Sequence, residues 1–254
     1  STKVSPRITG KLDQKAVLAQ FDKSLDSLRV KKIHTLYLHF PDPSTPLIYP
    51  LEACAQLHSE GKFSQLGLSN FPAWMVAEAY NLCKTQGWVL PSVYQGVYNP
   101  LSRHAERELD NALDYYGMCF YAYNPLAGGM LTDKYSRDDK GIKSGRFINR
   151  PNYQERYWKD SYFSAIDMLR CVCEKNDIAI IEATYRWLSH HSMLSAKRGD
   201  GIIVGASKLE HLKQNMSTMA KSELPEEIVD AFQKAWLMCR SDAPEYFRLY
   251  SPKE

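Results

Sequence analysis

The feature that most constrains this chain is an alternation in which one short run of β-formers is followed by one helical pattern, again and again. The runs are His34 to Phe40, ended by Pro41 and Pro43; Phe63 to Leu68; Ser92 to Gln95; Met118 to Tyr123, closed by Asn124-Pro125; and Gly201 to Val204. Ser1 to Val4 reads as the C-terminal end of a sixth. Helical patterns lie between them. Leu12 to Val30 places Leu12, Ala16, Val17, Phe21, Leu25 and Leu28 along one face, Leu47 to Glu60 is stopped by Gly61, and Ala73 to Thr85 starts after Pro72. His104 to Tyr116 is stopped by Gly117; Phe163 to Lys175, Ile180 to His191 and Lys208 to Met219 follow. The last helical pattern, Pro225 to Cys239, has its proline in the first turn. Leu126 to Lys159 carries Gly128, Gly129, Gly141, Gly145 and Pro151, and ordered loops of that size are uncommon unless functional.

Single strands alternating with helices predict an α/β fold on a parallel sheet. A closed barrel needs eight strands, whereas an open doubly wound sheet accepts five or six, so periodicity leaves both open. No G-x-G-x-x-G follows any of the strands. The length of 254 residues suits one large domain.

Composition narrows the function. The 32 basic and 29 acidic residues are interspersed, which argues against a nucleic-acid surface. No apolar run approaches the roughly 20 residues that span a bilayer, and Ser1 to Gly10 has no signal-peptide core, so neither a membrane nor a secretory route is expected. Six scattered cysteines, with only Cys171 and Cys173 close together, read as bystander thiols of a reducing cytoplasm, and no metal site is expected.

Each run ends in polar or small residues, the place where a parallel barrel builds its site. In order these ends are Lys3, His39, Ser69-Asn70, Gln95, Tyr123-Asn124 and Gly205-Ala206-Ser207. Singly each has a plain explanation: a packed histidine, an N-cap pair, a turn. Six on successive strands are harder to dismiss. Ser207 also stands where the last strand turns into a helix, a position where backbone amides and the helix dipole favour a phosphate. By contrast, His190-His191 and the group His104, Glu106 and Glu108 lack ligand spacing, and the five tryptophans read as core or interface.

The strings YLHFPDP (Tyr37 to Pro43), EGKFSQLGLSNF (Glu60 to Phe71), VYQGVYNP (Val93 to Pro100), FYAYNPLAGGMLTDKY (Phe120 to Tyr135) and IIVGASKLEHLKQN (Ile202 to Asn215) resemble the aldo-keto reductase superfamily in its order and at its intervals. APEYFR (Ala243 to Arg248) and RYWK (Arg156 to Lys159) resemble its aflatoxin-aldehyde reductase branch, which also reduces succinic semialdehyde. The resemblance implies a (β/α)8 TIM barrel in which residues 1–254 form a single domain. That domain would run from the third strand to the eighth plus a C-terminal helix and tail, and so be incomplete at the N-terminus. It implies reduction of aldehydes or ketones to alcohols, with hydride from NADPH and a proton from a tyrosine. A free phenol titrates near about 10, so such enzymes tune the tyrosine with a lysine, a histidine and an aspartate. Lys3 matches the lysine and His39 the histidine that hydrogen-bonds the substrate carbonyl. The aspartate and tyrosine are expected upstream of Ser1, so this chain alone is expected to turn over weakly or not at all.

The resemblance also supplies the cofactor set. Ser69, Asn70 and Gln95 match groups that hold the nicotinamide carboxamide, and Tyr123 matches the aromatic that stacks on the ring. Asn124, Pro125, Leu126, Ala127 and Gly128 lead into the loop over the pyrophosphate, with Lys134 carried in the same set. Arg146 is the candidate for the 2′-phosphate, against the plainer reading of a solvated loop cation. Gly205, Ser207, His211, Gln214 and Asn215 match the adenosine end, although His211 and Gln214 depart from the commonest family residues there. Lys208 adds positive charge beside Ser207 and leans toward NADP. Tyr246, Phe247 and Arg248 are carried as substrate contacts beside His39. The competing reading is a non-catalytic NADPH-binding barrel that acts as a regulatory or interaction protein. A small carbonyl compound is the expected partner; oligomeric state stays open, with a homodimer as one option.

Overall fold

All six expected runs form strands in the computed structural model, which describes residues 1–132, 134–137, 147–148, 150–206 and 208–251. They are β1 (Thr2–Val4), β2 (Ile33–Leu38), β3 (Phe63–Ser69), β4 (Pro91–Val97), β5 (Cys119–Tyr123) and β6 (Gly201–Ile202). Every pairing is parallel and the strands lie in sequence order. Sequential order resolves the choice that periodicity left open. In a doubly wound sheet the order reverses at a switch point, whereas in a barrel wall each crossover steps the same way. The arrangement is consistent with a (β/α)8 barrel. Among the described residues, β1 and β6 each pair along one edge.

Ten α-helices are found among the described residues. The first, α1 (Pro6–Thr9), begins at Ser5, whose hydroxyl accepts from Arg7 N, and ends at Gly10 in the left-handed region. Next come α2 (Gln14–Leu28), α3 (Ile48–Ser59) and α4 (Ala73–Gln86). Asp13 caps α2 by accepting from Ala16 N at 2.9 Å. The helix expected over His104 to Tyr116 is instead a 3-10 turn, His104–Glu106, followed by α5 (Leu109–Tyr116). Glu108, at φ −135°, breaks the backbone between them. The long loop after β5 contains α6 (Pro151–Tyr157), which the missing apolar period hid and which the proline in its first turn could have flagged. The rest of the chain forms α7 (Asp160–Lys175), α8 (Ile180–His190), α9 (Leu209–Met219) and α10 (Glu226–Cys239).

The core lies between sheet and helices. Leu36, Leu38, Leu66, Leu68, Tyr94 and Phe120 are fully buried on the strands. Each fully buried aliphatic side chain contributes about 1.5–3 kcal/mol. On β3, Gly67 pairs with Tyr37 of β2 and faces its ring, and a β-carbon there would lie 2.4 Å from it. The last strand is short, though Ile203 N donates to Ala122 O at 2.8 Å and extends the ladder by one bond. Its entry is fixed by Asp200, whose carboxylate accepts from Phe120 N at 2.7 Å and from Ser195 N at 2.9 Å and pairs with Arg198 at 2.8 Å.

Candidate active site

Parallel packing brings the C-terminal strand ends to one rim. His39 N donates to Val4 O at 2.9 Å, which sets Lys3 and His39 side by side at the ends of β1 and β2. Lys3 Nζ donates to the Gln95 side-chain oxygen and lies 5.3 Å from the centre of the Tyr37 ring. Loss of water around the ammonium lowers its pKa to about 8. Burial, followed by the charges of Lys3 and Arg7, holds His39 down at about 4. At neutral pH the imidazole is therefore neutral, with one N–H to donate.

Asn70, at the end of β3, joins these groups. Its φ of +61° is a conformation that asparagine tolerates better than most residues. Its amide donates to His39 O at 2.9 Å and to Ser69 Oγ at 3.1 Å, while its side-chain oxygen accepts from the Tyr123 hydroxyl at 2.7 Å. Asn70 O in turn accepts from Arg248 N at 3.0 Å, which ties the C-terminal tail to the rim. The turn after β5 is held by buried Asn99, whose amide donates to Asn124 O at 3.0 Å. The Asn124 side chain accepts from Tyr153 OH at 3.2 Å and donates to Tyr157 OH at 3.3 Å, so α6 is fastened to it. Positive φ at Asn124 and Ala127, followed by Gly128 and Gly129, makes the turn tight and exposes its backbone.

These groups line one cleft of about 1180 Å³. Lys3, His39, Asn70, Gln95 and Tyr123 stand at one end, Asn124, Pro125, Leu126, Gly128 and Lys134 follow, and Gly205, His211, Gln214 and Asn215 also line it. Asn215 is buried and donates to Tyr185 OH at 3.2 Å. Five of the expected contacts are not in the lining. Ser69 and Ala127 are fully buried beneath the rim. Tyr246 is buried, donating to the Glu108 carboxylate and accepting from Ala73 N at 3.0 Å, so it anchors the tail and does not line the cleft. Arg248 stands beside the rim, and Phe247 packs against the core. Arg146 and Ser207 lie outside the described residues.

Sequence reasoning missed part of the lining. Arg7, Phe40, Arg156, Tyr153 and Tyr185 all face the cleft. Arg7 stacks its guanidinium on Phe40 at 4.0 Å from the ring centre. Its pKa is lowered by burial and then by the charges of Arg248 and Arg156. Burial pushes the Tyr123 phenol up, while the same two arginines pull it down. Arg7 and Arg156 therefore line the cleft with Lys3 and His39, while Arg248 stays outside the lining. A partial signal was available at Arg7, which lies just past the end of β1, where barrel sites are built.

The lining fits a dinucleotide. It offers amide groups and an aromatic face beside Lys3 and His39, a glycine-containing turn after β5, and His211, Gln214 and Asn215 from α9. Among the described residues no His, Cys, Asp and Glu cluster is arranged to hold a metal ion, and no helix is long and apolar enough to cross a membrane.

Residues 1–237 match the model of the aldo/keto reductase family. The chain is 44% identical to aflatoxin B1 aldehyde reductase member 2 of Rattus norvegicus, an alignment covering 98% of this chain and 70% of the relative. It is 43% identical to aldo-keto reductase family 7 member A3 of Homo sapiens, over 97% of this chain and 77% of the relative. The Homo sapiens aflatoxin B1 aldehyde reductase member 2 is 42% identical over 98% and 72%.

Proposed function

The chain belongs to the aldo/keto reductase family, and on that premise we propose that it is an NADP-dependent reductase of aldehydes and ketones that binds its cofactor along the cleft. The observation that carries the reading is convergence: Lys3, His39, Asn70, Gln95 and Tyr123 come from five different strand ends and line one cavity.

When bound, NADPH supplies the hydride. The chain's own residues bind, orient and stabilise charge. Asn70 and Gln95 fix the carboxamide of the nicotinamide, and Tyr123 carries the ring face. The backbone after Asn124 lies along the pyrophosphate, with Lys134 beside it. Gly205, His211, Gln214 and Asn215 receive the adenosine, while Arg146 and Ser207 are assigned to phosphate on the sequence alone. Of the four groups that the resemblance puts around the carbonyl oxygen, this chain contributes Lys3 and His39. Neutral His39 donates its N–H to that oxygen. Lys3, with a pKa of about 8, is mostly protonated at pH 7 and stabilises the oxyanion as it forms. The six cysteines are free thiols, which supports a cytoplasmic setting.

Titration with NADPH, followed by quenching of tryptophan fluorescence, tests the cofactor assignment. Quenching is expected in the wild type, with binding weakened about tenfold in Arg146→Ala and Ser207→Ala through loss of a charge-assisted or backbone-supported phosphate contact. Equal affinity in all three would remove the phosphate assignment. Loss of NADPH absorbance with an aromatic aldehyde tests the chemistry. Robust turnover would exclude the non-catalytic reading and would overturn the expectation that this chain alone turns over weakly or not at all.

A further inference from the structure

We infer that Lys3 is also a covalent site: its side-chain amine condenses with an aldehyde held in the cleft to form an imine. The inference rests on the reductase reading only for the class of compound that enters, an aldehyde.

Lys3 pairs with Tyr37 across β1 and β2, and it lines the cleft with His39 and Gln95. Its nitrogen is held in place, since Nζ donates to the Gln95 side-chain oxygen. The groups around it are neutral or positive. Gln95 carries no charge, burial pushes the Tyr37 phenol up to about 12, and His39 is uncharged at neutral pH. Arg7 lines the same cleft as a cation. Among the described residues no Asp or Glu lines the cleft, and no salt bridge includes Lys3.

A carboxylate partner would keep the proton on Nζ, whereas burial without one favours the free amine, the form that attacks carbonyl carbon. At pH 7 an amine of pKa about 8 is unprotonated in about one molecule in ten, against about one in 3,000 at the ordinary 10.5. A less basic nitrogen is a weaker nucleophile, as holds for thiols, which leaves a net advantage of about tenfold.

The lone pair of neutral Nζ adds to the aldehyde carbon, and the carbonyl π pair moves onto oxygen. One nitrogen proton passes to that oxygen, which gives a carbinolamine. The His39 N–H donates to the same oxygen. The C–O bond then breaks, a second C–N bond forms, and the oxygen leaves as water with the remaining nitrogen proton. No oxidant or reductant is consumed, so the imine forms without NADPH. It removes the ammonium that stabilises the oxyanion, so an aldehyde held without cofactor blocks turnover until the imine hydrolyses.

The test is trapping of the whole chain with propanal and sodium cyanoborohydride, read by mass spectrometry of the peptide that bears Lys3. Propylation of Lys3 at pH 7 is expected at least about tenfold faster than that of Lys15 or Lys234, both exposed. Its rate should rise with pH and level off above about 8. Gln95→Glu, which sets a carboxylate against Nζ, should abolish the advantage and move the levelling point upward. Labelling of Lys3 no faster than that of the exposed lysines, a rate still rising well above pH 8, or an advantage that survives Gln95→Glu would each overturn the inference. The wild-type arms stand by themselves if Gln95→Glu does not fold. Trapping at Lys3 in a chain that fails to bind NADPH would sink the reductase reading and leave the imine site standing.

Discussion

His39 shows how a residue legible in the sequence acquires its chemistry from its surroundings. Its ordinary pKa of 6.5 falls to about 4 in the folded chain, because burial and the neighbouring Lys3 and Arg7 charges disfavour the imidazolium. The unfolded chain therefore binds the proton first as pH falls. Stability from this group is complete above pH 6.5 and is lost as pH falls through about 4. His39→Asn should accordingly lose less Tm than the wild type between those two pH values, as read by thermal melts across the range. Parallel slopes for the two proteins would reject the argument. Lys3, His39, Asn70, Gln95 and Tyr123 were legible because each is a polar residue at the end of an apolar strand. Arg7 and Arg156 were not, since each lies on a short helix, α1 or α6, whose few residues give no period to show which side faces the cleft.

Among the elements, the strands were easier to read than the helix ends. β2, β3 and β5 stand within two residues of their expected positions, because β-branched and aromatic runs punctuated by proline or glycine leave little alternative. The 3-10 turn before α5 and the helix α6 escaped, one through a backbone break at Glu108 and the other through its shortness. Close contact between strands also lay beyond the pattern. Gly67 is required because the Tyr37 ring occupies the space that a β-carbon would fill, at 2.4 Å. Gly67→Ala should destabilise the protein by about 1–3 kcal/mol through overpacking. A urea midpoint equal to that of the wild type would contradict this.

At the scale of the whole molecule, the sheet is unevenly supported. β2 to β5 pair on both sides, whereas β6 is two residues long and pairs with β5 alone among the described residues. Next to it, α9 leaves Leu209, Leu212 and Met216 exposed along one face. Amide hydrogen exchange is expected to be slowest in β2 to β5 and markedly faster in β6 and α9, since local opening there breaks few contacts. Uniform protection across all six strands would show that the sheet opens as one unit. The sequence by itself determined the alternation of strand and helix, the polar residues at the strand ends and the family, because these follow from local period and from ordered motifs. Only the tertiary structure decided that the strands run in sequence order, that Tyr246 anchors the tail while Arg248 stays beside the rim, and that Arg7 and Arg156 join Lys3 and His39 in the lining of one cleft. Local propensity acts over a few neighbouring residues, whereas those contacts join residues far apart in the chain and exist only once parallel pairing has gathered the strand ends.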